Sequence, residues 1–133
     1  AEPKLFGLLD MALSLLDAMT HPPSTLFRLG FETKALTFVG LGPQLTTCVA
    51  CGGNIDDPCS LTLQGAAHLG CGVSGQRVSA AWLQAIEAAR RTPLRDVIDS
   101  ETPQGPTWAF AEAIEAHLGR RLRSRTVLAT LSE

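Results

Sequence analysis

Apolar side chains near the start of the chain recur every three or four residues, which predicts a helix from Pro3 to about Thr20. The sequence His-Pro-Pro at positions 21–23 ends it, because proline has no backbone N–H to donate and restricts the residue before it. Ser24 is a suitable N-cap for a second helix that runs to about Val39. The apolar residues of this second helix cover more than one stripe, so we expect it to contact several neighbours. They are Leu26, Phe27, Leu29, Phe31, Leu36 and Phe38.

Between positions 43 and 77 the helical pattern gives way to Gly, Pro, Thr and Asn, which is typical of a compact loop module. Residues 59–63 alternate loosely between apolar and polar, and we predict that they form half of a short hairpin with residues 68–69 opposite. Loops this long inside a small domain usually need a metal or another cross-link to hold them.

Two further helices are predicted in the last third of the chain. Ser79 is placed to cap a helix that runs to about Arg91, with Trp82 on its buried face. A fourth helix should open at Thr102-Pro103 or Pro106 and end at Gly119, with Trp108 packed inside. The core spacing of both tryptophans favours burial over base stacking. Apolar residues beyond this helix predict a terminal segment that packs back on the others, namely Leu122, Val127, Leu128 and Leu131.

The composition is that of one globular domain of 133 residues, with 45% hydrophobic and 18% charged side chains. No apolar run reaches the roughly 18 residues of a membrane helix and no secretory leader pattern is present, so a cytoplasmic location is expected. The net charge of −2 argues against strong attraction of the whole domain to nucleic acid. Lys and Arg number three in residues 1–60 and eight afterwards, which places any basic surface in the second half.

Four cysteines in a cytoplasmic chain indicate metal binding or catalysis before disulfides, because cellular thiols keep such pairs reduced. Cys48-Val-Ala-Cys51-Gly52 has the form of a knuckle that offers two thiolates to one zinc ion. A thiol oxidoreductase usually carries the first cysteine at a helix N-terminus within a βαβ unit. Here a helix comes before the pair and Gly-Gly-Asn follows it, which disfavours redox catalysis.

Four arginines fall within six residues after the fourth helix, at Arg120, Arg121, Arg123 and Arg125. Guanidinium groups bind phosphate and carboxylate oxygens bidentately, so the run is a candidate surface for DNA or an acidic peptide. The alternative is a solvated stretch of cations near a helix C-terminus, where positive charge is favoured in any case.

Three stretches together resemble a known family. They are Phe31-Glu32 on the second helix, residues 40–45 with the pattern Gly-x-Gly-Pro-x-Leu joined to the Cys48 knuckle, and the run from His117 to Arg125. In this order and separation they resemble the C-terminal part of the RecO DNA-repair and recombination mediators. The resemblance covers most of this chain, from about Pro3 onward.

The resemblance implies a mainly α-helical bundle with an inserted zinc-finger-like module. The helices would lie in residues 1–42 and 78–133 and the module in residues 43–77, with the family's N-terminal OB-fold absent. Zinc-binding members use a second Cys-x-x-Cys, whose first position falls on Cys71 and whose second falls on Ser74. The fourth ligand is then expected to be Cys59, with His68 as the second choice, giving the set Cys48, Cys51, Cys59 and Cys71. Some members have lost the cysteines, so a metal-free module is the alternative.

The function implied by the resemblance is that of a non-enzymatic mediator in the bacterial cytoplasm, associated with the nucleoid during repair. Its implied partners are RecR, the acidic tail of single-stranded-DNA-binding protein, and single- and double-stranded DNA, with no membrane and no small-molecule substrate. It would load recombinase and promote strand annealing. Residues 122–125 match the family and would receive the tail. Two other interpretations stay open, a free-standing zinc-finger regulator that binds nucleic acid and a thiol oxidoreductase.

Overall fold

The computed structural model describes residues 2–119 of the chain, which are mainly helical with a small antiparallel sheet. The helices are α1 (Glu2–Ala18), α2 (Thr25–Phe38), α3 (Ala80–Arg91) and α4 (Ala111–Ala113), the last continuing as a π-helical turn at Ile114–Gly119. The strands are β1 (Cys59–Leu61), β2 (Ala66–His68) and β3 (Gln76–Val78). Short 3₁₀ turns occupy Leu69–Cys71 and Leu94–Asp96.

Both predicted serine caps are present. The hydroxyl of Ser24 accepts a hydrogen bond from the N–H of Phe27, and that of Ser79 accepts one from the N–H of Trp82, each at 3.1 Å. These bonds satisfy N–H groups that the first turn of a helix leaves without a backbone partner. Because the signal is local in sequence, the beginnings of α2 and α3 were predictable to within a residue.

Helix α2 lies at the centre of the helical part, in contact with α1, α3 and the turn Leu94–Asp96. A Cβ atom added at Gly30 would come within 3.1 Å of the Ala89 side chain, so α2 and α3 approach closely where both residues are small. Around this crossing lies the apolar core, whose fully buried large residues include Leu5, Leu29, Leu36, Trp82, Leu83, Ile86 and Leu94.

Strand β1 is the middle strand of the sheet and pairs antiparallel with β2 on one side and β3 on the other. A hairpin was predicted here with residues 59–63 opposite residues 68–69, whereas the paired strands are Cys59–Leu61 and Ala66–His68. Strand β3 was missed because its exposed Gln76 and Arg77 give no apolar pattern. The loop before the sheet is attached to it, since the N–H of Ala66 donates to the carbonyl of Gln44 at 2.7 Å. Gly65 permits this approach with a φ of +140°.

The fourth helix begins at Ala111, later than predicted, because turns occupy the segment before it. Trp82 is fully buried, as predicted, and stacks on Phe110 with 6.3 Å between ring centroids. The prediction that Trp108 is a core residue was wrong, because 68% of its surface is exposed. Its ring instead supports the guanidinium of Arg28, 3.9 Å from the centroid, and that guanidinium also donates to the carbonyl of Thr107.

Several predicted features lie outside the described residues. They are the arginine run (Arg120, Arg121, Arg123 and Arg125), the family-matching Leu122 and Ser124, and the terminal apolar segment with Val127, Leu128 and Leu131. Within residues 2–119, none of the helices is both long and apolar enough to cross a bilayer.

Candidate metal centre

The first two candidate ligands lie on a tight turn that begins and ends at paired backbone. Thr47 and Asn54 form an antiparallel bridge, and the N–H of Cys48 donates to the carbonyl of Gly53 at 2.8 Å. The N–H of Gly52 closes the turn on the carbonyl of Cys48, also at 2.8 Å, with a φ of +78° that a side chain would disfavour. The turn explains why glycine follows the pair in the sequence.

The other two candidate ligands lie where β2 ends. His68 is the last residue of β2, and the 3₁₀ turn that follows carries Cys71. Gly72 ends this turn in the left-handed region, and its N–H donates to the carbonyl of Leu69 at 3.3 Å. His68 and Cys71 are therefore separated by two residues, the same spacing as in the first pair.

Together the four side chains form a Cys3His cluster, whose ligand atoms all lie within 4.8 Å of one another. We use this name for Cys48, Cys51, His68 and Cys71. The Sγ atoms of Cys48 and Cys71 are 3.8 Å apart, and the Nδ1 atom of His68 lies 3.4 Å from the sulfur of Cys51 and 3.8 Å from that of Cys71.

These separations fit a tetrahedral zinc ion. With zinc–sulfur bonds of about 2.3 Å and zinc–nitrogen bonds of about 2.0 Å, tetrahedral angles separate two sulfurs by about 3.8 Å and a sulfur from a nitrogen by about 3.5 Å. Three thiols and one imidazole are also a donor set that suits zinc and disfavours magnesium or calcium, which prefer oxygen ligands. Both the spacing and the chemistry of the Cys3His cluster therefore match a structural zinc site.

Backbone N–H groups support the sulfur atoms. Those of Ala50 and His68 each lie 3.4 Å from the sulfur of Cys48, and that of Gly53 lies 3.4 Å from the sulfur of Cys51. The His68 N–H is the largest cause that lowers the pKa of Cys48, to about 6, and burial opposes it. The lowered pKa favours the thiolate of Cys48, the form in which cysteine binds metal.

The pKa of Cys71 is shifted in the opposite direction from that of Cys48. The hydrogen bond between the sulfurs of Cys48 and Cys71 is the largest cause that raises the pKa of Cys71, to about 11, and burial adds to it. A metal ion that binds both sulfurs would displace the proton of this hydrogen bond.

A hydrogen bond on the side of the ring that faces away from the sulfurs orients His68. Its Nε2 atom lies 2.8 Å from the carbonyl oxygen of Asn54, which can only accept, so Nε2 carries the proton. Nδ1 then presents a lone pair to the cluster. The Asn54 carbonyl is also the largest cause that raises the pKa of His68, followed by its hydrogen bond with Cys51. An outer carbonyl that holds the ring in this way is common among histidine ligands of metals.

Cys59, the first choice for the fourth ligand, lies outside the Cys3His cluster. It is fully buried in β1, its thiol donates to the carbonyl of Val78 at 3.4 Å, and burial raises its pKa. The place is taken by His68, the second choice. Ser74, at the second position of the family's pattern, is exposed. Cys71 is thus the second member of its pair and not the first, which the repeated two-residue spacing in the sequence could have indicated.

A cleft between α1 and α2 was not expected from the sequence. It has a volume of about 280 Å³ and combines an apolar floor with two lysines. Its lining residues are Lys4, Gly7, Leu8, Met11, Lys34, Phe38, Pro93 and Leu94. The Nζ atom of Lys34 donates to the carbonyl of Arg90 at 2.7 Å, and burial, followed by repulsion from Arg90, lowers the pKa of Lys34.

Comparison with known proteins adds the following. Residues 1–126 match the sequence model of the family described as "Recombination protein O C terminal". The chain is 35% identical over 134 aligned positions to a protein of Myxococcus xanthus named "DNA repair protein RecO". That alignment covers 92% of this chain and 51% of the relative, so the chain spans about half the relative's length. No solved structure matches the chain.

Proposed function

Because the chain belongs to the RecO family of DNA repair proteins, we propose that it is the partner-binding domain of a recombination mediator. In this role it acts without catalysis, together with RecR and single-stranded-DNA-binding protein, to load recombinase onto DNA and to promote strand annealing. The work takes place in the bacterial cytoplasm, at the nucleoid during repair.

The observation that carries the partner assignment is the cleft between α1 and α2. An acidic and apolar peptide tail needs a hydrophobic floor with cations at its edge, and the cleft offers Leu8 and the half-exposed Met11 beside Lys4 and Lys34. The ammonium of Lys34 is held in place by the Arg90 carbonyl, so less side-chain entropy is lost when it binds a carboxylate. Partial burial also strengthens such a pair by limiting solvent screening.

A second groove along α1 fits the tail less well. It has a volume of about 310 Å³ and is lined by apolar residues with Arg28, among them Leu13, Leu16 and Phe31. Arg28 is the one cation among the lining residues, and its guanidinium already lies 3.8 Å from the carboxylate of Glu32 and over the ring of Trp108, whereas the contact of Lys34 is with a neutral carbonyl.

We further propose that zinc staples residues 43–77 into a finger inserted in a helical bundle. Cys48, Cys51, His68 and Cys71 would hold the ion, which supplies a cross-link between the knuckle and the loop after β2. The role is structural, because a site with four protein ligands leaves no open position for a substrate. Cys48 does not lie at a helix N-terminus, which separates the site from thiol oxidoreductases.

Binding of a fluorescent peptide tests the cleft. The peptide should carry several aspartates and a C-terminal phenylalanine, and its affinity is measured by fluorescence anisotropy at low salt. We expect Lys34→Met to weaken binding about tenfold and Lys4→Met to weaken it less, because Lys34 is the more buried cation. Methionine keeps most of the apolar stem of lysine, so the lost affinity reports the charge.

Arg77→Met is the matched control, since Arg77 lies exposed on β3 and does not line the cleft. It should leave the affinity unchanged. If both lysine variants bind as tightly as the unaltered protein, the cleft is the wrong site. A loss confined to Arg123→Glu and Arg125→Glu would instead assign the tail to the arginine run.

A further inference from the structure

The three thiols of the Cys3His cluster differ in their access to solvent. Cys48 is 2% exposed, Cys71 is partly exposed and Cys51 is exposed. The sulfurs of Cys48 and Cys71 are nevertheless 3.8 Å apart, close to van der Waals contact. A small oxidant can therefore reach Cys71, while Cys48 lies beside it and is shielded from solvent.

We propose that Cys48 and Cys71 form a redox switch that joins as a disulfide and releases the metal when the protein meets a hydroperoxide. The inference rests on the proposed zinc site, because the released ion is the one held by the Cys3His cluster. It adds that the zinc cross-link is broken by oxidation and restored by reduction.

The chemistry balances with hydrogen peroxide as the oxidant. In the zinc-loaded protein the metal would hold both Cys71 and Cys48 as thiolates. The Cys71 thiolate attacks one peroxide oxygen, the O–O bond breaks, and a sulfenic acid and one water form with uptake of a proton. The Cys48 thiolate then attacks the Cys71 sulfur, the S–S bond forms, and the sulfenic oxygen leaves as a second water with another proton. Two thiolates have lost two electrons in all and the peroxide has gained them.

Metal release follows from the number of ligands. The disulfide removes two thiolates from the Cys3His cluster and leaves Cys51 and His68, too few for a closed tetrahedral site. The helical part should persist, because most residues of the buried core come from α1, α2, α3 and the turn at Leu94, although Leu45, Cys59, Leu61, Ala66 and Val78 of the module pack in the same core. Oxidation would thus loosen the module while the rest of the domain stays folded.

The chain contains its own control for reactivity. Cys59 is the same chemical group, but it is fully buried in β1 and its thiol is bonded to the Val78 carbonyl. An oxidant that acts through exposed thiols should spare it. Cys59→Ser should therefore release zinc as fast as the unaltered protein, provided that the variant folds.

The test treats zinc-loaded protein with a small excess of hydrogen peroxide. A chromogenic chelator follows zinc release, and peptide mapping without reduction locates the disulfides. We expect one equivalent of zinc to be released, a Cys48–Cys71 disulfide to form, and dithiothreitol with added zinc to reverse both. Cys51→Ser, mapped in the same way, should still form the Cys48–Cys71 disulfide, because it keeps both sulfurs of the pair.

The failure of the switch and the failure of the zinc site give different results. A Cys48–Cys51 disulfide, sulfinic acid at Cys51 without a disulfide, or zinc retained after oxidation would each overturn the switch and leave the zinc site in place. Reduced protein that takes up no zinc would overturn the zinc site, and the metal-release proposal with it.

Discussion

The ring of His68 is oriented mainly by a backbone carbonyl, that of Asn54 at 2.8 Å from Nε2, with the carboxylate of Asp56 farther away at 3.6 Å. The Asn54 oxygen fixes the proton on Nε2, and the bridge between Thr47 and Asn54 fixes that oxygen relative to the first pair of cysteines. Ligand geometry in both halves of the Cys3His cluster thus depends on one short stretch of paired backbone. Ring orientation of this kind reduces the freedom that must be lost when a metal binds.

Substitution of His68 tests the ligand assignment. We expect His68→Ala to lower zinc affinity by more than the roughly 10–100-fold that loss of an outer-shell partner costs, since a direct ligand is lost. His68→Cys should retain affinity within about tenfold, because a set of four cysteine ligands suits zinc equally well. Competition with a chromogenic chelator at pH 7.5 measures both variants.

Ser74→Cys is the informative control, because it rebuilds the Cys-x-x-Cys pattern that the family resemblance led us to expect. The exposed side chain at position 74 lies outside the Cys3His cluster, so the new thiol should not change zinc affinity. Rescue of His68→Ala by Ser74→Cys would show that position 74 reaches the metal and that our assignment of the second pair is mistaken.

Among the elements, those with local signals were predictable and those that depend on distant contacts were not. Ser24 and Ser79 predict where α2 and α3 begin, because each serine caps the first turn of the helix that follows it. Strand β3 exists because β1 offers it an edge, and Trp108 stays outside because Arg28, 80 positions earlier in the chain, engages its face. The sequence likewise named three of the four residues of the Cys3His cluster, and the fold was needed to place the fourth.

Gly65 tests how the module is attached to its sheet. A Cβ atom there would collide with the backbone of Gln44, and the φ of +140° is essentially restricted to glycine. We expect Gly65→Ala to lower the free energy of unfolding by about 3 kcal/mol and to weaken zinc binding. Urea denaturation of the zinc-loaded protein measures the change.

Gly70→Ala provides the comparison, since a Cβ atom at Gly70 meets nothing within 4 Å. Its effect should stay within about 0.5 kcal/mol. Equal losses for the two variants would mean that glycine content matters here and not the close approach at Gln44.

A pH-dependent contribution is expected from α3. The carboxylate of Glu87 accepts hydrogen bonds from Arg90 at 2.5 and 2.9 Å and from Arg91 at 2.7 Å, and the bonds to Arg90 are the largest cause that lowers its pKa. A lowered pKa in the folded state stabilises the fold above the unfolded pKa of about 4.3, and this contribution is lost as pH falls through the folded value. Glu87→Gln should therefore cost about 1 kcal/mol at pH 7 and much less at pH 3.

Urea denaturation at the two pH values checks this, with Glu112→Gln on exposed surface as the control. A cost for Glu87→Gln that is as large at pH 3 as at pH 7 would mean that the side chain acts through packing and not through its charge.

At the scale of the whole molecule, the helices and the Cys3His cluster lie in different parts of the chain. The largest buried side chains belong mostly to the helices, while the sheet and its loops are short and carry the cluster that the proposed zinc ion would cross-link. The proposed peptide cleft lies wholly among α1, α2 and the residues that follow α3, away from the cluster. Loss of metal should therefore leave peptide binding intact, so that the two proposals can be tested independently.

Charged residues are also distributed unevenly along the chain. Residues 2–119 contain seven Lys and Arg against twelve Asp and Glu, and the remaining four arginines all fall in the run from Arg120 to Arg125. Residues 2–119 carry a net negative charge and therefore repel phosphate. We expect the DNA affinity of this chain to come from the arginine run.

The salt dependence of DNA binding tests this distribution. Each phosphate contact that is lost should reduce the slope of log affinity against log salt by about 0.7 for single strands. We expect the double variant Arg123→Gln and Arg125→Gln to weaken binding of a single-stranded oligonucleotide and to reduce the slope by about 1.4, measured by anisotropy between 50 and 200 mM salt. Arg77→Gln removes one positive charge from the sheet, against two in the double variant, and should leave the slope unchanged. A slope that falls equally in both cases would assign DNA binding to general charge and not to the arginine run.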